Sequence, residues 1–153
     1  EEGIPFILDG GGASASFRLN KLQKVDIFSP NETETALITG IRPDTLDDCL
    51  RASMAICSQT AVGYVVLKLG ARGCYIYDGK YCDLIAPFDV QAVDTTAAGD
   101  AFTAALATEF LRTGDITASA RYANAVGALT VTTAGAINAL PTRETVRRFL
   151  EQI

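Results

Sequence analysis

Histidine is absent from the 153 residues, and none of the four cysteines (Cys49, Cys57, Cys74, Cys82) belongs to a C-x-x-C pair. Together these absences exclude a typical zinc site and argue against a redox couple. The cysteines read instead as buried, reduced thiols of a reducing compartment, the cytoplasm. Basic residues are also short: 13 Lys and Arg face 18 Asp and Glu, a net charge of -5. Such a surface does not coat DNA or RNA, so an anionic ligand must be held by local geometry. No apolar run reaches membrane-spanning length, because Arg, Lys, Asp or Gly interrupts each one. Repeats, low-complexity tracts and dividing linkers are missing. An initiating methionine is missing too: the chain opens at Glu1 and holds only Met54, which predicts a piece of something longer. The start shows no signal peptide.

What is present suits one folded domain. Apolar residues make up 48% and charged residues 20%, enough for a real core without disulfides or metal at this length. Apolar runs at 4–8, 25–28, 62–69, 74–77 and 81–85 predict strands. Helices are expected at 31–39, 44–60, 98–112, 117–130 and 142–152, with one or two helical turns near 16–23. In the helix over 44–60, Leu46, Leu50, Met54 and Cys57 form the expected buried stripe. Alternating strands and helices imply an α/β layered sheet, here expected to be mostly parallel.

Three stretches carry chemistry. The first is Asp94-Thr95-Thr96-Ala97-Ala98-Gly99-Asp100-Ala101-Phe102, entering the alanine-rich helix. A helix start offers unpaired N–H groups and partial positive charge, and small residues let a phosphate approach the backbone. Asp100 beside such a site could take a proton from an attacking hydroxyl. A threonine-capped helix with an acidic first turn is the plainer alternative.

The second stretch is Ser29-Pro30-Asn31-Glu32-Thr33-Glu34. Asn31 and Glu34 share a helix face and could reach a Mg²⁺–phosphate cluster through water. They also have the spacing of a capping box. The third, Lys68-Leu69-Gly70-Ala71-Arg72-Gly73, follows a central strand, at the end where open α/β sheets bind ligands. It could equally be an ordinary glycine turn. Asp9-Gly10-Gly11-Gly12 lacks G-x-G-x-x-G and reads as a plain loop. Asp44, Asp47 and Asp48 read as a favourable helix start, and Arg143, Arg147 and Arg148 as a solvated face.

In this order the stretches resemble the ribokinase-like, or PfkB, carbohydrate kinases. D-T-T-A-A-G-D-A-F is similar to the family's C-terminal signature, S-P-N-E-T-E with the following L-x-T-G to its N-x-x-E segment, and V-V-L-K-L-G-A-R-G to its nucleotide-binding strand and turn. The resemblance runs from Ile4 to the end, over the C-terminal half of the family's usual length. It implies a layered α/β/α sandwich, with residues 1–153 as a single nucleotide-binding and catalytic portion. The sugar-binding N-terminal half and the small β lid are expected to lie outside it.

The resemblance further implies ATP, Mg²⁺ and a sugar as ligands, with the γ-phosphate passing to a sugar hydroxyl. Asp100 would be the base, and the amides of Ala98, Gly99 and Asp100 the anion hole. Asn31 and Glu34 would organise Mg²⁺ and phosphate. Lys68, Gly70, Ala71, Arg72 and Gly73 would lie along the nucleotide, with Asn124 beside the adenine. Asp94, Thr96, Thr130, Thr133 and Gly135 match positions that surround a monovalent cation, K⁺, in ribokinase-type members. The chain departs from the family at two positions: Lys68 stands where ribokinase-type members often have threonine, and Ala139 where they place a serine by the cation. A homodimer of the full-length protein is also implied. Two alternatives stand beside the kinase: an inactive fragment or non-catalytic nucleotide-binding module, and a structural α/β interaction domain whose motifs are all caps and turns.

Overall fold

A computed structural model describes residues 3–12, 17–21 and 24–153. The chain divides into two units: Glu1–Gly70 with Cys74–Leu84, and Ala71–Gly73 with Ile85–Ile153.

The first unit is built on a five-stranded sheet. Its strands are β1 (Ile7–Asp9), β2 (Val25–Ser29), β3 (Val62–Lys68), β4 (Cys74–Tyr77) and β5 (Cys82–Ile85), paired in chain order. β1 and β2 run parallel with Leu8 opposite Phe28, and β2 and β3 run parallel with Phe28 opposite Val65. β3 and β4 are antiparallel, with Val66 opposite Ile76. The sheet is therefore mixed, where a mostly parallel one was expected. The cause is length: the segment joining β3 to β4 is far too short for the crossover of a dozen or more residues that a parallel pair needs.

Val65, Val66 and Leu67 are fully buried, as a near-continuous apolar run in a covered central strand should be. Val65 and Leu67 join Phe28, Ile56, Tyr75 and Tyr77 in one core cluster. Near 16–23 the chain forms one 3₁₀ turn, Leu19–Lys21, which buries Leu19; Ser16, Leu22 and Gln23 lie outside the described residues. Phe17 stacks on Phe28 with ring centroids 6.1 Å apart.

Two helices complete this unit. Helix α1 (Glu32–Thr39) starts at a capping box between Asn31 and Glu34 and stops at Gly40, whose φ is 74°. Helix α2 (Leu46–Gln59) starts at a second box between Thr45 and Asp48, so its acidic start is a cap as expected. The buried stripe of α2 is Cys49, Ala52, Ser53 and Ile56; of the expected Leu46, Leu50, Met54 and Cys57, only Leu50 and Cys57 pack against the core, and they do so half-buried. Leu46 and Met54 are 56% and 51% exposed. The stripe that won has i, i+3, i+4, i+7 spacing. Its small residues also let α2 pack closely on β3. All four cysteines are free thiols.

The second unit is helical, with α3 (Ala98–Thr113), α4 (Ile116–Thr130) and α5 (Arg143–Glu151). Gly114, at φ 68°, ends α3, and Asp115 caps α4 by accepting from the Ala118 amide. The two helices pack on each other, and Ala101, Ala105, Ala120 and Ala123 are among their buried residues. Buried Glu109 on α3 pairs with Arg112 and with Arg143 of α5. Arg147 and Arg148 pair with Glu144 on the exposed face. Among the described residues no helix is long and apolar enough to cross a membrane.

Candidate functional site

The residues singled out by sequence fall into two groups, one in each unit.

In the first unit they gather where β1, β2 and β3 end at Asp9, Ser29 and Lys68. Pro30 stops β2 and turns the chain into α1. The Lys68 amide donates to Pro30 O at 2.9 Å, and Asn31 forms a parallel bridge with Lys68. The end of β3 is thereby fixed against the start of α1. Asn31 and Glu34 cap each other: Asn31 N–H donates to Glu34 Oε2 at 2.7 Å, and Glu34 N–H donates to Asn31 Oδ1 at 2.9 Å. The capping reading of this pair therefore holds, and it leaves Glu34 Oε1 and the Asn31 amide nitrogen for other work.

The structure adds two residues here that the plain-loop reading of 9–12 missed. The Lys68 ammonium donates to Asp9 Oδ2 at 2.7 Å, with the lysine side chain only 10% exposed. Gly10 has no room for a side chain: a Cβ would sit 2.5 Å from Glu34 Oε2 and 3.0 Å from Pro30 Cα. The signal was in the sequence. An Asp-Gly pair closing a buried strand of an α/β sheet lies at the ligand end of that strand.

In the second unit, the signature stretch forms the start of α3. Ala97 is the N-cap, at φ 62° and ψ 2°, and no side chain caps the helix. The threonine-capped alternative is thus not what forms. The Ala98 amide donates to Thr95 O at 3.3 Å, and helical bonding resumes with the Ala101 amide on Ala97 O. Between them, the Gly99 and Asp100 amides carry no hydrogen bond among the described residues. Asp100 is exposed. The helix therefore offers two unspent donors, its positive end and a solvent-facing carboxylate within one turn.

Asp94 organises the approach to this turn. Its Oδ1 accepts from the Thr96 amide and its Oδ2 from the Gly135 amide, both at 2.9 Å. These bonds, Gly135's foremost, hold its carboxyl down at about 2. The amides of Val93 and Asp94 both donate to Val131 O, at 2.7 and 3.1 Å. The structure thus brings Asp94, Thr96 and Gly135 together, while the Thr133 amide reaches back to Thr130 O at 3.4 Å. The Thr130 hydroxyl is buried and spent on Val126 O. Among the described residues there is no cluster of three or more His, Cys, Asp or Glu to hold a metal ion.

Gly70, Ala71 and Arg72 form a 3₁₀ turn. Gly73 answers to packing: at φ 88°, a Cβ there would lie 2.1 Å from Ile85 O and 2.9 Å from Pro87 N. Asn124 is nearly buried, and its amide nitrogen donates to Ile85 O and Ala86 O, each at 3.1 Å. Its donors therefore hold the segment leading from β5, and only its Oδ1 is left over.

The sequence matches the family model "pfkB family carbohydrate kinase" over residues 4–143. It is 36% identical to ribokinase of Arabidopsis thaliana over 152 residues, covering 97% of this chain and 40% of that protein. Among solved structures, Arabidopsis thaliana ribokinase complexed with ribose and ATP superposes with a TM-score of 0.89 at 34% identity, over 97% of this chain and 48% of that one. A putative ribokinase II from E. coli, in complex with ATP and Mg²⁺, superposes with a TM-score of 0.74 at 27% identity, over 88% and 41%. The fold is of this ribokinase-like α/β/α type, and the chain spans less than half the length of these relatives.

Proposed function

The chain belongs to the pfkB family of carbohydrate kinases, and on that premise we propose that it is the C-terminal, nucleotide-binding and catalytic portion of an ATP-dependent sugar kinase. The observation that carries the reading is the start of α3. An uncapped turn presents two unspent amides, from Gly99 and Asp100, beside an exposed carboxylate.

Each part has a task in moving the γ-phosphoryl group of ATP to a sugar hydroxyl. Phosphoryl transfer needs positioning and charge stabilisation more than covalent chemistry. The Gly99 and Asp100 amides receive the charge of the migrating group, each donor being worth a factor of about 10²–10³. The Ala98 amide joins them by giving up its long bond to Thr95. The Asp100 carboxylate accepts the proton of the attacking hydroxyl, worth about 10²–10⁴. Asn31 and Glu34, through the atoms their capping box leaves over, hold magnesium through water. Magnesium, when bound, offsets the charge of the nucleotide phosphates.

Lys68 and the Gly70–Gly73 turn lie along the nucleotide. Asn124 acts by fixing the backbone at Ile85 and Ala86, with its Oδ1 turned toward the base. Asp94, Thr96, Thr130, Thr133 and Gly135 frame a K⁺ site in which Asp94 orders the loops that supply the oxygens. Four free thiols support a reducing compartment, the cytoplasm, and the proposed assembly is a homodimer of the full-length protein.

The test is Asp100→Asn in the full-length protein, assayed with a panel of sugars. Turnover should fall by about 10²–10⁴ while calorimetry still finds MgATP bound. Near-normal turnover would refute the base assignment. Wild-type binding of MgATP without transfer to any sugar would leave a nucleotide-binding module, and absent binding would leave a structural domain.

A further inference from the structure

We propose that Asp9 is a positioning residue for the nucleotide. Its carboxylate holds the Lys68 ammonium at the carboxyl ends of β1 to β3 as the cation that receives a nucleotide phosphate. The proposal deepens the kinase reading and rests on it.

Lysine stands at the end of β3 with its side chain 10% exposed and its amide tied to Pro30 O. A poorly solvated ammonium needs a compensating charge, and Asp9, across the sheet at the end of β1, supplies it at 2.7 Å. Asp9 is itself immobilised. Its Oδ1 accepts from the Gly11 amide at 2.8 Å, so Oδ2 is presented to the lysine. Gly10, which allows no Cβ beside Glu34 and Pro30, seats this loop against the start of α1. Lys68 is therefore held next to the Asn31–Glu34 pair to which the metal–phosphate role is assigned. An ammonium has three donors, so a carboxylate and a phosphate oxygen can be served at once. Beside Asp9 in the β1–β2 register, Ser29 Oγ is fully buried and has no hydrogen-bond partner among the described residues. These strand ends thus hold a polar group whose bonding the fold leaves unfilled.

The experiment compares wild type, Asp9→Asn, Lys68→Met and the double variant as full-length proteins, by steady-state kinetics and by calorimetry with MgATP. Asparagine still accepts the Gly11 amide but no longer pairs with the ammonium. Asp9→Asn should raise KM and Kd for MgATP by about tenfold or more, with a smaller change in kcat and none in the sugar KM. Asp9→Glu should recover part of the loss. In the Lys68→Met background, Asp9→Asn should add nothing. Unchanged nucleotide affinity in Asp9→Asn would overturn the proposal, as would an equal loss with and without Lys68.

A wild type that binds MgATP without turnover would sink the kinase reading and leave the Kd comparison to decide this one. A wild type that binds no nucleotide would sink both. If Asp9→Asn does not fold, Lys68→Arg decides against Lys68→Met: arginine should keep the affinity that methionine loses, and equal affinities would overturn the proposal.

Discussion

Replacing Ala97 by glycine should stabilise the protein, against the usual direction of that exchange. Ala97 is the only residue other than glycine with a positive φ among the described residues. An L-residue in the left-handed region carries a steric cost of about 1–2 kcal/mol, which glycine does not. Against this, glycine adds freedom to the unfolded chain worth about 0.4–1 kcal/mol. The balance is a gain of about 0.5–1 kcal/mol, or about 1–4 °C in melting temperature at this size. The control is Ala104→Gly, at an exposed interior position of α3, where the same exchange should lose about 1 kcal/mol. Circular dichroism during urea unfolding reads both variants on one helix. Opposite signs support the argument. If both variants lose stability alike, Ala97 is not strained and the reading of this turn is wrong.

Gly73→Ala should cost about 3 kcal/mol or more, because it combines backbone overlap at Ile85 and Pro87 with an unfavourable φ; soluble expression and denaturation midpoints will report it. Glu109→Gln should cost about 1–2 kcal/mol, less than a fully buried pair because Arg112 and Arg143 are more than half exposed. The hydrogen bond from Arg112 lowers the Glu109 carboxyl. Its contribution is therefore complete above the ordinary glutamate value and disappears as pH falls through the lower folded value. The stability gap between wild type and Glu109→Gln should accordingly be open at pH 7 and close in acid; a gap that persists at low pH would contradict this. Asn124→Ala should cost about 1 kcal/mol by freeing Ile85 O and Ala86 O, with hydrogen exchange rising in that segment; unchanged exchange would deny Asn124 its anchoring role.

Local chemistry was the legible part of this chain. Asn31 and Thr142 each open a helix, and Gly40 and Gly114 each close one, because caps and left-handed stops are decided within a few residues. Strand direction was less legible. A run such as Cys74–Tyr77 reads the same whichever way it pairs, and only the shortness of the turn before it settles the matter. The face of α2 was misread because Leu46 and Met54 are large and apolar, while the positions that fit the sheet hold small residues. In the site, the α3 turn was readable from its composition, but its lack of a cap was not, since two threonines precede it. The Asp-Gly pair at the end of β1 marked a position at the ligand end of the sheet, but its pairing with Lys68 was not readable, because it joins residues far apart in sequence that only strand order brings together.

The abrupt reversal between β3 and β4 has a kinetic consequence. Val65 meets Tyr77 and Lys68 meets Cys74 after closing only a small loop, and such hairpins assemble in about 1–10 μs. Matching Ile7 with Ile27, or Val25 with Val62, must wait for longer excursions of the chain to be brought home. The first-formed pair should therefore serve as the template on which the parallel strands later align, leaving the carboxylate of Asp9 and the ammonium of Lys68 among the last groups to meet.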